Sequence, residues 1–193
     1  MSPPLRLSCL ASGGGRTILN LLDSIEDGQI NATIQEVLVS SISAAAVHRC
    51  QSRGLKTFTR PIDEDLDAWV LSCLEQSQPD LVCLCGYLRL LPMPPWLQGR
   101  VINIHPALLP NFGGPGMYGQ HVHAAVLESG ATESGCTVHF VDAQYDHGAT
   151  ILQRRCKVCP DDDVSALAAR VFDQECIALP EAVQAIADSR PTD

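Results

Sequence analysis

Five short apolar runs, separated by stretches of helical spacing, fill the first 105 residues, and few folds accommodate that order. Leu5 to Leu10 breaks into Ala11-Ser12-Gly13-Gly14-Gly15-Arg16-Thr17, after which Ile18, Leu21, Leu22 and Ile25 recur at i, i+3, i+4 and i+7. That is strand, glycine turn, amphipathic helix. Ala32 to Val39 reads as a second strand, Ala44 to Arg53 as a helix ended by Gly54, and Thr57 to Thr59 as a brief third strand. Leu66, Trp69, Val70, Cys73 and Leu74 repeat at helical spacing between Asp63 and Gln76, with Pro79 past the end, so Trp69 is read as core. Leu81 to Cys85 is almost continuously apolar, as a parallel strand covered on both faces should be. In the fifth run Val101, Ile102 and Ile104 are β-branched, and Pro106 closes the strand because proline cannot donate to a ladder.

Past residue 106 the grammar changes. Five of the seven residues from Gly113 to Gly119 are glycine or proline, which predicts a loop with room to move. His121 to Ser129 reads as a helix with Gly130 beyond it, and His121 and His123, two positions apart on that helix, are expected on its solvent side. From Gly135 the residues alternate, Thr137, His139 and Val141 on one face against Val138 and Phe140 on the other, in the manner of an antiparallel strand, and Ile151 to Val158 returns as another. Asp161-Asp162-Asp163 then opens a helix with Val164, Leu167, Ala168 and Val171 on one stripe, and the tail from Asp188 should fray. The expectation is an α/β fold: a single-domain, Rossmann-like, mostly parallel sheet flanked by helices, with antiparallel strands added in the C-terminal half.

Composition narrows what such a fold can do. With 193 residues, 46% hydrophobic and 18% charged, the chain can bury one full core, and it is read as a single domain over 1–193 with its core at about 5–187. Thirteen basic against 22 acidic residues give a net charge of −9, and no basic run offsets it, so a nucleic-acid partner is not expected. An anionic substrate would need helix ends and a few arginines. No apolar run approaches the ~20 residues that cross a bilayer and no leader precedes the first strand, which reads as a cytoplasmic protein without a membrane partner. Nine cysteines, odd in number and scattered, fit reduced core thiols better than a disulfide framework, and the lone C-x-x-C at Cys156 and Cys159 lacks the second pair of a zinc site, so no metal is expected.

The chemistry-bearing types gather at strand ends. Asn103 and His105 close the fifth strand, on the sheet edge where open α/β folds usually bind ligands. A carboxamide can hydrogen-bond an oxygen on which negative charge develops, a contact typically worth ~3 to 4 kcal/mol of barrier. Imidazole can share that task or move a proton near neutral pH, and a carboxylate such as Asp146 can fix its tautomer or accept a proton. A histidine at a strand end is also an ordinary structural hydrogen-bonder, so spacing alone leaves catalysis open. Gly13, Gly14 and Gly15 allow close backbone approach to an anion ahead of a helix start, with Arg16 and Thr17 adding charge and a hydroxyl, although a plain βα turn would read the same way. Tyr87 to Leu91 is too apolar for an exposed loop: either it is packed, its Arg89 answering a carboxylate, or it walls a flat ligand.

Five segments carry more information than their periodicity: Ser12-Gly13-Gly14-Gly15, Gly86 to Leu91, Asn103 to Pro110, Gly135 to Val141 and Tyr145 to Gly148. In this order they resemble the phosphoribosylglycinamide formyltransferase family, a likeness that extends over residues about 5 to 185. Members carry a formyl group from 10-formyltetrahydrofolate, a co-substrate, to the amine of glycinamide ribonucleotide in de novo purine synthesis. The resemblance implies the formyltransferase fold, with Asn103, His105 and Asp146 as the catalytic set and Thr137 and His139 in support. It puts the ribonucleotide's phosphate at Gly13 to Thr17 and its amine at Glu175. The folate falls against Leu88, Arg89, Leu90 and Leu91, beside Asn103 and the loop holding Val141, Asp142 and Asp146. The chain departs from the family at Arg16-Thr17, where Ser-Asn is usual, at Asp63, where an arginine can reach the folate's tail, and at Ala149, usually proline. The other readings are a formyltransferase for a sugar-nucleotide amine, a formyltetrahydrofolate hydrolase, and a folate or nucleotide binder without chemistry. Monomer and homodimer are both compatible with the sequence.

Overall fold

The computed structural model describes residues 3–60 and 65–190; the Asp63 departure lies outside them. Seven strands form one sheet: β1 (Leu5–Ala11), β2 (Ala32–Val39), β3 (Thr57–Thr59), β4 (Leu81–Leu84), β5 (Val101–His105), β6 (Glu133–Phe140) and β7 (Thr150–Lys157). Among the described residues five α-helices accompany them: α1 (Arg16–Glu26), α2 (Ala45–Ser52), α3 (Leu66–Ser77), α4 (Gln120–Glu128) and α5 (Val164–Asp188). The spatial order is β3-β2-β1-β4-β5-β6-β7, parallel through β5, with β6 antiparallel to β5 and β7 antiparallel to β6. The chain builds outward from β1 to β3, then crosses back to place β4 on β1's other side. This reversal opens a crevice at the carboxyl ends of β1 and β4, because the connections leaving them run to opposite faces.

Burial follows the sequence pattern. β4 is buried at every position, as its unbroken apolar run requires. One apolar cluster joins β1, β4 and β5 to α1 and α5 through Leu7, Cys9, Ile18, Leu21, Ile102, Leu179 and Val183. On the other face Leu10, Leu38, Leu66, Val70, Leu74 and Val82 pack α3 onto the sheet, with Trp69 half-buried at its margin rather than inside it. A register shift between Leu7 and Ser8 pairs Ser8 with Glu36, and the buried Glu36 carboxylate accepts from the hydroxyls of Ser8 (2.9 Å) and Ser77 (2.6 Å). Those two bonds make burial of the group tolerable.

The last helix combines a local start signal with a breaker that tertiary packing tolerates. Asp163 caps α5 by accepting from the Ala166 N–H at 2.7 Å, as the run of aspartates predicts. Pro180, however, does not end the helix; it lies buried in the middle of a 25-residue α5. The apolar face continuing through Ala182 and Val183 into the core offsets the backbone bond that proline removes.

Candidate active site

A cleft of about 520 Å³ opens at the carboxyl edge of β1, β4 and β5. Its walls are the start of α1 (Arg16, Thr17), the segment after β4 (Gly86 to Leu91), the end of β5, the glycine-rich loop from Gly114 to Gly119, and one face of α5 (Ala168, Val171, Phe172, Glu175). The two crossing connections are stitched together below it: Ser12 N–H donates to the Gly86 carbonyl at 2.9 Å, and the Ser12 hydroxyl accepts from Leu88 N–H at 3.0 Å.

Asn103, His105, His139 and Asp146 meet at the floor. Antiparallel pairing of β5 with β6 sets Asn103 opposite His139, and the Asn103 Nδ2 donates to His139 Nε2 at 3.1 Å and to Asp146 Oδ1 at 3.4 Å. His139 Nδ1–H donates to the Phe140 carbonyl at 2.8 Å, which leaves Nε2 as the acceptor and fixes the tautomer. His105 is held the same way: its Nε2–H donates to the Phe112 carbonyl at 2.8 Å, so Nδ1 is the nitrogen that faces Asp146 Oδ1 at 3.4 Å. A neutral ring sets a lone pair against that carboxylate, whereas a proton on Nδ1 makes an ion pair. Asp146 itself has a left-handed backbone, φ 53°, and its Oδ2 accepts from Gly114 N–H at 2.9 Å.

Charge is finely balanced here. Burial alone would raise the Asp146 carboxyl, but the polar surroundings of His139 and His105 and the bond from the Gly114 N–H outweigh it and keep its pKa below the ordinary value. Burial pulls His105 below the usual imidazole range, partly opposed by Asp146 and the Phe112 carbonyl. Across the cleft, burial pushes Glu175 up to about 7 against the lowering effect of Arg16. One half-buried carboxyl thus titrates near neutrality while another, at the floor, stays ionised. That separation is what acid and base chemistry in one cleft requires.

The remaining residues named from sequence fall into place unevenly. Leu88, Arg89, Leu90 and Leu91 all line the cleft, yet Arg89 is also clamped to Asp67 by two 2.9 Å bonds, so both readings of that segment apply to different parts of it. Arg16 and Thr17 line the hollow, while Gly13, Gly14 and Gly15 sit at its α1 end outside the lining. Gly15 is left-handed (φ 72°), and an added Cβ there would lie 2.9 Å from Ala46, so the turn needs glycine for packing as well as for conformation. No side chain caps α1, whose first N–H groups stay available to an anion. Arg16 stacks over the Phe172 ring at 4.2 Å. Val141 reaches the cleft; Asp142 does not, being engaged by His147 (2.7 Å) and Gln144 N–H (2.8 Å). Thr137 stands one shell back, donating to the Ala107 carbonyl at 2.6 Å and accepting from Leu109 N–H at 3.0 Å, so it shapes the chain leaving β5.

His123 departs from the sequence reading. Only His121 faces solvent; His123 is 5% exposed and lines the cleft, because α4 turns Val122, His123 and Val126 inward together. Two-residue spacing on a helix separates faces by 200°, which by itself does not say which face is inside. Tyr118 and Tyr145, exposed at the rim, are further lining residues that periodicity did not mark. Among the described residues no group of three or more His, Cys, Asp or Glu is placed to hold a metal ion, and no helix is long and apolar enough to cross a membrane.

The chain matches the formyl transferase family over residues 5–183. It is 35% identical to "Phosphoribosylglycinamide formyltransferase, chloroplastic" of Arabidopsis thaliana, over 96% of this chain and 66% of that protein. To the Escherichia coli (strain K12) "Phosphoribosylglycinamide formyltransferase" it is 31% identical, over 96% of this chain and 89% of the other. Among solved structures, the glycinamide ribonucleotide transformylase 1 of Symbiobacterium toebii superimposes with a TM-score of 0.89 at 32% identity, covering 100% of this chain and 92% of that one. Several relatives are longer: the chain spans 62% of the Vigna unguiculata protein and 14% of the "Trifunctional purine biosynthetic protein adenosine-3" of Drosophila melanogaster.

Proposed function

This chain belongs to the formyl transferase family, and on that footing we propose that it carries a formyl group from 10-formyltetrahydrofolate to the amine of glycinamide ribonucleotide, a step of de novo purine biosynthesis. The observation that carries the reading is the convergence of Asn103, His105 and Asp146 at the floor of a cleft bounded by an uncapped helix start on one side and an apolar wall on the other.

The phosphate end of the acceptor lies at the Gly13–Thr17 turn, where Arg16 supplies the charge that an acidic chain otherwise lacks. Its amine reaches Glu175, and the folate ring lies along Leu88 to Leu91 and Val141, beside Asn103. The amine nitrogen attacks the formyl carbon, and the carbonyl electron pair moves onto oxygen. Asn103 exchanges its long 3.4 Å contact with Asp146 for that oxygen, and His105 holds or passes a proton at Nδ1, the nitrogen left free by its Phe112 bond. Asp146 accepts a proton from the attacking nitrogen, and the folate nitrogen receives one as the bond to carbon breaks and the formyl carbonyl re-forms on the acceptor.

The direct test offers purified protein 10-formyltetrahydrofolate with glycinamide ribonucleotide, a sugar-nucleotide amine, or water alone, and follows folate absorbance. Turnover should require glycinamide ribonucleotide; turnover with water or only with the sugar nucleotide would replace this acceptor.

Glu175 makes the reading pH-dependent. The carboxylate form, which attracts the amine, accumulates as pH rises through about 7, so the KM for the acceptor should fall between pH 6 and 8, by an amount absent from Glu175→Gln. Because Arg16 opposes the rise of that carboxyl, Arg16→Ala should move the inflection to higher pH. A flat acceptor KM across this range in the unaltered protein would remove Glu175 from the amine's contacts.

A further inference from the structure

One row of paired residues crosses the last three strands behind the reaction centre. His105 of β5 pairs with Thr137 of β6, and Thr137 pairs in turn with Gln153 of β7. Gln153 stays outside the cleft lining, yet its carboxamide reaches past Thr137 to the segment that leaves β5. Its Nε2 donates to the Leu109 carbonyl at 2.8 Å and to the Thr137 hydroxyl at 2.9 Å. Both partners can only accept, because a carbonyl has no proton and the Thr137 hydroxyl gives its own to the Ala107 carbonyl at 2.6 Å. Two N–H groups on one atom answer both.

The segment held in this way bends back on His105. The Leu108 carbonyl accepts from Asn111 N–H at 3.2 Å, and the turn delivers the Phe112 carbonyl to His105 Nε2 at 2.8 Å. Leu109 also packs against Gly113, where an added Cβ would lie 2.5 Å from the leucine side chain and 3.1 Å from Asp146 Cβ. Little slack therefore separates Leu109 from the groups at the cleft floor. A neutral His105 ring has one proton and two claimants, the Phe112 carbonyl at Nε2 and the Asp146 carboxylate 3.4 Å from Nδ1. With the carbonyl in place the proton stays on Nε2; with the carbonyl withdrawn, the anion draws it to Nδ1.

We propose that Gln153 is a positioning residue: by holding the Leu109 carbonyl and the Thr137 hydroxyl it keeps the Phe112 carbonyl on His105 Nε2, and so keeps Nδ1 free. That a free Nδ1 matters to turnover rests on the reaction proposed above; the tautomer itself does not.

The experiment reads the ring directly, by nitrogen NMR shifts of labelled protein, with the His105 signals identified by their loss in His105→Ala. It is run at about pH 8, where a histidine whose pKa burial lowers is neutral. The unaltered protein should show the Nε2–H tautomer alone. Gln153→Met, of similar length but without donors, should move the ring toward Nδ1–H and lower kcat about tenfold, with both KM values within about twofold. Gln153→Glu keeps the shape but, ionised, can only accept, so it should do no better. A merely structural glutamine predicts lowered thermal stability with the His105 tautomer and the kcat of the folded enzyme unchanged, and that pattern overturns the proposal. A mixed tautomer in the unaltered protein, or Gln153→Glu behaving like the unaltered protein, overturns it as well. Should Gln153→Met not fold, the same readings on Gln153→Glu decide. If the unaltered protein transfers formyl to no ribonucleotide, the acceptor reading fails, while the tautomer shift still decides the role of Gln153.

Discussion

Asp146→Ala should lower kcat by about two to four orders of magnitude, the range expected when a general base and the orienting partner of a second group are removed together. Its Oδ1 is the shared contact of Asn103, His105 and His139, so a single truncation removes the charge that favours a proton on His105 and the acceptor that holds the Asn103 carboxamide. Asp146→Asn preserves the size and can still accept from Gly114 N–H, yet it should be nearly as damaging because it lacks the charge. Asn103→Ala and His105→Ala should each cost about a hundredfold or more in kcat with the folate KM little changed. Steady-state kinetics alongside circular dichroism checks the set. Near-normal turnover in all three alanine variants would dismiss the floor of this cleft as the reaction centre.

Gly148→Ala should be severely damaging for a single added methyl. A Cβ there would sit 1.9 Å from the Phe140 carbonyl oxygen and 2.8 Å from its carbon, both backbone, so relief requires the loop and the end of β6 to part. That same carbonyl receives the Nδ1–H of His139, and Phe140 N–H donates to the Ala149 carbonyl at 2.9 Å. We expect a loss of roughly 2 to 4 kcal/mol, visible as a fall in Tm on the order of 10 °C, and activity reduced beyond what the remaining folded fraction explains. Gly113→Ala provides the contrast, since its nearest neighbour, at 2.5 Å, is the movable Leu109 side chain. Equal thermal stability of Gly148→Ala and the unaltered protein would refute the steric account.

How far the sequence could be read depended on whether a feature is local. The strand at Ala32–Val39 and the short one at Thr57–Thr59 have the expected bounds, because β-branched and apolar runs between breakers are defined by neighbours in the chain. Pro180 stands inside α5 rather than at its end, since the cost of the lost backbone bond is met by contacts with the sheet. Tyr87 to Leu91 left two possibilities, and the structure realises both, with Asp67 claiming the Arg89 charge while the leucines face the hollow.

The linear order of apolar runs, glycines and prolines decides that this chain forms a twisted α/β sheet with its polar residues at the carboxyl edge, because periods of two and of 3.6 are set by residues within a turn or two of one another. The motif wording narrows the chemistry further. What decides the rest is register. Asn103 meets His139, and Asp146 reaches them both, only because β6 runs antiparallel beside β5 at one particular offset, bringing together groups 36 and 43 residues apart. The same folding turns His123 inward toward the cleft, an orientation that depends on which face of α4 finds the core and so belongs to no stretch of sequence taken alone.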